Sequence, residues 1–154
     1  MSHILLDKDG ERAIIMAPAS TGEITGDVFE KHFKSALENN CTVATTEISQ
    51  LPLSGVQKML DISNNIGASS FLDVDVPPSV AVGDAALGNL TELLKCVKSC
   101  DVMKPTLEAA GELLAVAKSN GTSCDPDEVG IELDCEPLKG PNTTFWPIYK
   151  DGKK

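Results

Sequence analysis

Between Thr42 and Lys118 the chain changes its hydrophobic period repeatedly, and that alternation limits its fold more than any other feature. Thr42 to Ile48 alternates as a strand does, and Ser54 to Ile66 repeats Val56, Met59, Leu60 and Ile66 at helical spacing. Ser70 to Val76 is strand-like again, with Gly67 placed to stop the helix before it. Asn89 and Glu92 stand at capping-box spacing ahead of Leu90, Leu93, Leu94 and Val97. Asp101 to Lys104 reads as a short strand. Pro105 then precedes a helix over Thr106 to Lys118, with Leu107, Ala110, Leu113, Leu114 and Ala117 inward and Asn120-Gly121 as its stop. Strand, helix and parallel strand join by right-handed crossovers, so the expected class is α/β with a doubly wound, mostly parallel sheet.

Ahead of this region, Ile4-Leu5-Leu6 and Ala13-Ile14-Ile15-Met16 flank Lys8-Asp9-Gly10-Glu11, the pattern of a hairpin with an Asp-Gly turn whose residues take positive φ. Ser20 to Thr25 reads as a loop. A helix follows from Asp27 to Glu38, with Val28, Phe29, Phe33, Ala36 and Leu37 on its buried face, Glu30, Lys31 and Lys34 outward, and Asn39-Asn40 closing it. Beyond Gly121 only Val129 to Leu133 alternates well enough for a strand, and Phe145-Trp146-Pro147-Ile148-Tyr149 is an apolar cluster in otherwise polar, turn-rich sequence. The organisation expected is therefore one domain over 1–120, with a hairpin at 3–16, and a poorly ordered tail over 121–154; 154 residues are enough for one core and too few for two.

Composition narrows the function. A hydrophobic fraction of 42% is that of a globular chain, and no apolar run reaches membrane-spanning length. Met1 to Ile4 enters a strand pattern directly, with no basic region and apolar core of a signal peptide, so a soluble, cytoplasmic location is expected. A formal charge of −10 argues against a nucleic-acid surface, which must meet phosphates with a basic face. Five cysteines, at 41, 96, 100, 124 and 135, have neither CxxC spacing nor partnering histidines. Reduced thiols are expected, with neither a disulfide framework nor a zinc site. With His3 and His32 alone, a histidine-based metal site or catalytic triad has little material.

Three segments carry a resemblance. Leu5-Leu6-Asp7-Lys8-Asp9-Gly10-Glu11-Arg12-Ala13-Ile14-Ile15 looks like the strand pair that forms the sugar lid in ribokinase-like (PfkB-type) carbohydrate kinases. Asp73-Val74-Asp75-Val76-Pro77 is similar to that family's strand ending in an Asp-Pro-Asn or Asn-Pro element, and Ser99-Cys100-Asp101-Val102-Met103-Lys104-Pro105-Thr106-Leu107-Glu108-Ala109-Ala110 resembles its aspartate–valine–leucine, Lys-Pro-Asn-x-x-Glu segment that opens a helix. The three occur in the family's order over the first three quarters of the chain. The resemblance implies an incomplete ribokinase-like domain with an N-terminal hairpin lid. It further implies ATP and Mg²⁺ as the full-length relatives' cofactors and a sugar or nucleoside-like acceptor; separately, lid strands lacking their sheet partners leave edges available for pairing, so a homodimer through the hairpin is an expectation.

Ligands of open parallel sheets sit beyond the carboxyl ends of strands, where Glu47, Asp73, Asp75 and Lys104 fall. Asp73 and Asp75 are candidates for holding magnesium through water or orienting a sugar hydroxyl; the alternative is a solvated strand end. Lys104 is a candidate phosphate contact, against a plain surface lysine. By the resemblance, Glu47, Gln50 and Asp73 belong to the substrate side, and Asp75, Lys104, Thr106 and Glu108 to the cofactor side. Departures are specific. Gln50 stands where relatives carry an acid before Ile-Pro, Thr106 replaces the motif's Asn, and Ala109 replaces its Glu. Glu108 lies one residue early, which turns a helical side chain by about 100°. The family's Gly-Gly element has no match before His3, and its Gly-Ala-Gly-Asp element, source of the catalytic base and anion hole, has none after Leu114.

No catalytic residue is therefore assigned, and this chain alone is expected not to be an active kinase. Gly83 to Gly88 has the glycine spacing of a phosphate loop, but Asn89-Leu90 stands where Lys and Ser or Thr are required, so it is expected to be a plain loop. Two functions remain: a partial carbohydrate kinase domain, or a non-catalytic α/β module for binding or assembly.

Overall fold

The computed structural model describes residues 2–10, 12–16, 19–119 and 144–145. Its centre is a parallel sheet in the order β3 (Val43–Ile48), β4 (Ser69–Val74), β5 (Val102–Pro105) and β6 (Thr144–Phe145). Each neighbouring pair runs in the same direction. The α/β parallel architecture expected from the alternation is thus present. Thr144–Phe145 joins it as an outer strand where no alternation marks one, because two residues are too few to show a period. The strand expected at 129–133 and the cluster at 146–149 lie outside the described residues.

Strand registry sorts the side chains into two faces. Ala44, Ser70 and Ile48, Val74, Pro105 are buried on one, as are Leu72 and Met103 beside each other. They meet Leu53, Val56, Met59 and Leu60 of α3 (Leu53–Ile66), Leu93, Cys96 and Val97 of α5 (Leu90–Ser99), and Ala109, Leu113 and Ala117 of α6 (Leu107–Ser119) in one core. Ala81 of the short α4 (Pro78–Val82) joins the same cluster. The opposite face presents Val43, Thr45, Glu47, Ser69 and Lys104 to solvent, with Phe71, Asp73 and Val102 half-buried.

Local chemistry explains most element ends. Gly67 caps α3 in the left-handed region at φ 73°, as only glycine does at low cost. The Asn89 side chain accepts from the Glu92 amide at 3.0 Å while the Glu92 carboxylate accepts from the Asn89 amide at 2.9 Å, the reciprocal capping box that the spacing predicts. Asn40, at φ 70°, takes the left-handed position just past the helical residues that end at Glu38. α3 approaches the segment that leads into the N-terminal helix so closely that a Cβ on Gly55 would stand 2.1 Å from the Ile24 carbonyl oxygen.

Several expectations need correction. The helix over 27–38 is two, α1 (Gly26–His32) and α2 (Lys34–Glu38), broken at Phe33. The break rotates the second segment, so Phe33 is 41% exposed and Ala36 faces solvent, while Phe29 and Leu37 still pack on the core. Leu107 points outward, being in the first turn of α6, and Ala109 takes the buried position instead. The loop at 20–25 contains a 3-10 turn over Ala19–Glu23, and Pro78–Val82 is a helical turn started by two prolines. The hairpin of β1 (Ser2–Leu6) and β2 (Arg12–Met16) is present, but five residues separate Leu6 from its partner Arg12, so the turn is wider than an Asp-Gly pair alone makes. Gly10 supplies the left-handed residue there, at φ 85°. The hairpin forms its own sheet, and Ile4, Leu5 and Leu6 are all more than half exposed.

Candidate functional site

Three adjacent parallel strands bring Glu47, Asp73 and Lys104 into one row. Glu47 is in register with Asp73 and Asp73 with Lys104, all on the face away from the helical core and near the carboxyl ends of their strands. A one-residue shift of any strand would turn its member of the row into the core, and the buried alternation on the other face prevents that slip. The Lys104 ammonium donates to Asp73 Oδ2 as an ion pair across β4 and β5. Asp73 Oδ1 is buried without a hydrogen-bond partner among the described residues. Glu47 accepts from the Ser49 hydroxyl two residues on.

Asp75 follows the end of β4 and joins the same electrostatic group. Burial is the first cause that raises its carboxyl above the ordinary range; the charges of Asp73 and Glu47 add to it, and Lys104 opposes them. Glu47, Asp73, Asp75 and Lys104 therefore make a rim with three carboxylates against one ammonium. Such a rim accepts hydrogen bonds from hydroxyls. The Lys104 ammonium is about half exposed while paired with Asp73.

The other candidates are placed differently. Gln50 is half-buried in the bend between β3 and α3. Thr106 Oγ1 accepts from the Ala109 amide at 3.3 Å, so it caps the start of α6, and its own amide donates to Val74 O at 3.1 Å. Glu108 faces solvent in the first turn of α6. Ala109, where the resemblance would put a carboxylate, is 0% exposed in the core. Among the described residues no group of three His, Cys, Asp or Glu side chains could hold a metal ion. The loop from Gly83 to Gly88 spends its backbone groups internally: Ala85 and Leu87 amides donate to Val80 and Ala81 carbonyls, and Leu87 O accepts from the Leu53 amide at the head of α3.

Two polar contacts escape sequence reasoning. Asp101 Oδ2 accepts from the Ser70 amide at 2.7 Å and the Ser70 hydroxyl at 3.0 Å, clamping the start of β5 to the start of β4. Glu112 of α6 accepts from the Ser79 amide and hydroxyl, each at 2.7 Å, and fastens α4. The signal in both cases is an acid opposite a serine over thirty residues away, which only the folded registry reveals.

No family model and no curated protein matches the sequence. Solved structures do match in shape. The ribokinase from Giardia lamblia is similar over 92% of this chain at 15% identity with a TM-score of 0.58. The crystal structure of Sa239 is similar over 71% of this chain at 13% identity with a TM-score of 0.52. The matches span 39% of that ribokinase and 31% of Sa239. The fold over this span is ribokinase-like. No helix among the described residues is long and apolar enough to cross a membrane.

Proposed function

We propose that this chain is part of a carbohydrate-kinase-type domain, contributing an acceptor-facing rim and a hairpin lid. In the complete fold, ATP with Mg²⁺ would phosphorylate a sugar-like or nucleoside-like hydroxyl. The observation that carries the reading is the registered row of Glu47, Asp73 and Lys104 at the carboxyl ends of three parallel strands, where open α/β sheets bind ligands. Carboxylates there accept hydrogen bonds from vicinal hydroxyls, and Gln50 adds a neighbouring amide. Asp75 and Lys104 are the residues nearest a nucleotide's side of such a site, with Thr106 and Glu108 at the head of α6. Thr106 and Ala109 leave that side without the motif's carboxylate, so phosphoryl transfer is not assigned to this chain by itself.

A titration of the isotope-labelled protein with a panel of pentoses, hexoses and nucleosides, followed by NMR, tests the rim. Millimolar acceptors are expected to shift the amides around Glu47, Gln50 and Asp73, and Asp73→Ala to abolish the response. Uniform silence across the panel overturns the acceptor assignment. ATP-dependent phosphorylation by the purified chain above a blank would overturn the assignment of no turnover.

A second reading, a non-catalytic binding or assembly module, is favoured by exposed apolar surface in two places. The hairpin exposes Ile4, Leu5 and Leu6, and its free edges suit pairing with a second copy in a homodimer. On the sheet, Val43 is 54% exposed on the face away from the helical core.

A further inference from the structure

Asp75 is the rim residue that lies past the last position of its strand, so sheet registry does not fix it on its far side. Two anchors bracket it. On the near side, β4 ends at Val74, whose carbonyl accepts from the Thr106 amide at 3.1 Å, at the head of α6. On the far side, Val76-Pro77-Pro78 joins Asp75 to Ser79, and this joint is stiff. Both prolines fix their own φ, and Val76 ahead of them is confined to extended backbone. Wherever Ser79 is held, Asp75 is held with it.

Ser79 is held from α6. Pro77 stands at the N-cap of α4 without a side-chain cap, and Pro78 has no amide to donate. The Val80 and Ala81 amides both reach the Pro77 carbonyl, which leaves the Ser79 amide as the donor that the helix cannot satisfy within its own first turn. Glu112 satisfies it from another helix, one carboxylate oxygen accepting from the Ser79 amide and the other from the Ser79 hydroxyl, each at 2.7 Å. Both anchors of Asp75 therefore lead to α6. We propose that Glu112 is a positioning residue for the rim: capping α4 from α6, it holds Asp75 beside Asp73 and Glu47 without touching a ligand itself. The inference deepens the acceptor reading above and rests on it. Ala81, 0% exposed, keeps α4 on the core without the clamp, so loss of Glu112 frees the first turn and the proline joint and not the fold.

The test reads Asp75 with no ligand present. Carbon-detected NMR follows its carboxyl through a pH titration of the isotope-labelled full chain and of Glu112→Ala, Glu112→Gln and Ser79→Ala. In the parent chain partial burial is the first cause that raises this carboxyl, Asp73 and Glu47 add to it, and Lys104 opposes them. Glu112→Ala is expected to move the Asp75 midpoint down toward the ordinary carboxylate value, because a freed Asp75 regains water and leaves its like-charged neighbours. Glu112→Gln keeps an acceptor oxygen and Ser79→Ala keeps the amide bond, so each should move it less; these two variants decide the matter if Glu112→Ala does not fold. A clamp that merely stabilises would lower the urea midpoint and leave the Asp75 midpoint in place, and that outcome overturns the proposal. So does a midpoint in Glu112→Gln as low as in Glu112→Ala. A sugar panel silent on the parent chain overturns the acceptor reading and leaves this titration to decide the positioning; a panel that binds while the Asp75 midpoint stays unmoved in every variant overturns the positioning alone.

Discussion

Single side chains divide here between those that hold the sheet and those that burden it. Asp75 belongs to the second group. Its carboxyl is raised in the folded protein by burial and by Asp73 and Glu47, so the unfolded chain gives up its proton first as pH rises, and stability falls across the carboxylate range. Asp75→Asn is expected to raise the urea midpoint at pH 7, by less than about 1 kcal/mol because solvent screens the site, and to give no gain at pH 3. Equal gains at both pH values would refute the linkage. Asp101 belongs to the first group, and Asp101→Ala leaves the Ser70 amide and hydroxyl without their acceptor. A loss of about 1.5–3 kcal/mol is expected, partly recovered by Asp101→Asn, which keeps one acceptor oxygen. Cys96 and Cys100 are core thiols whose burial pushes each up to about 12. Both stay protonated in the fold while the unfolded chain ionises from about pH 9, so their share of stability is intact below that pH and is lost as pH rises to 12. Peptide-resolved alkylation at pH 8 should label Cys41 in the native protein and reach Cys96 and Cys100 only after denaturation.

At the scale of elements, the sequence announced what local chemistry decides and hid what packing decides. The Asn89–Glu92 box, the Gly67 stop and the Asn39-Asn40 close are all local, and each sits where the spacing puts it. The strand–helix alternation gave the parallel sheet for the same reason, since periods of 2 and 3.6 show in any run of adequate length. The break at Phe33 was not legible, because the apolar spacing continues through it. The Asp101–Ser70 and Glu112–Ser79 clamps were not either, because they join residues distant in sequence. At the site, Glu47, Asp73 and Lys104 could be placed near strand ends from the sequence, but their common row depends on registry. Thr106 and Ala109 teach the converse: the motif positions were legible, and the structure shows one capping a helix and the other in the core. Ala109→Glu should therefore not restore a kinase carboxylate but bury a charge, lowering stability by roughly 3 kcal/mol or more in a denaturant titration. Gly55→Ala meets the Ile24 carbonyl and should cost about 1–3 kcal/mol, because backbone cannot step aside as a side chain would.

The whole molecule is uneven in what supports it, and hydrogen exchange measures that directly. β4 has strand partners on both sides and a buried face against α3, so its amides open only with the core. The hairpin is a separate two-stranded sheet with exposed apolar side chains, and an isolated hairpin is marginal in water. In dilute solution the β1 and β2 amides are expected to exchange through local opening, orders of magnitude faster than those of Phe71 to Val74. Raising the protein concentration discriminates the sources of any added protection. If hairpin edges pair between copies, β1 and β2 slow with concentration while β3 and β4 do not. If the sheet face that carries Val43 and Thr45 were the self-contact, the added protection would appear in β3 and β4 instead. Hairpin amides as slow as β4 at the lowest concentration would show that the lid is held within a single chain, and would remove the basis for a homodimer through it.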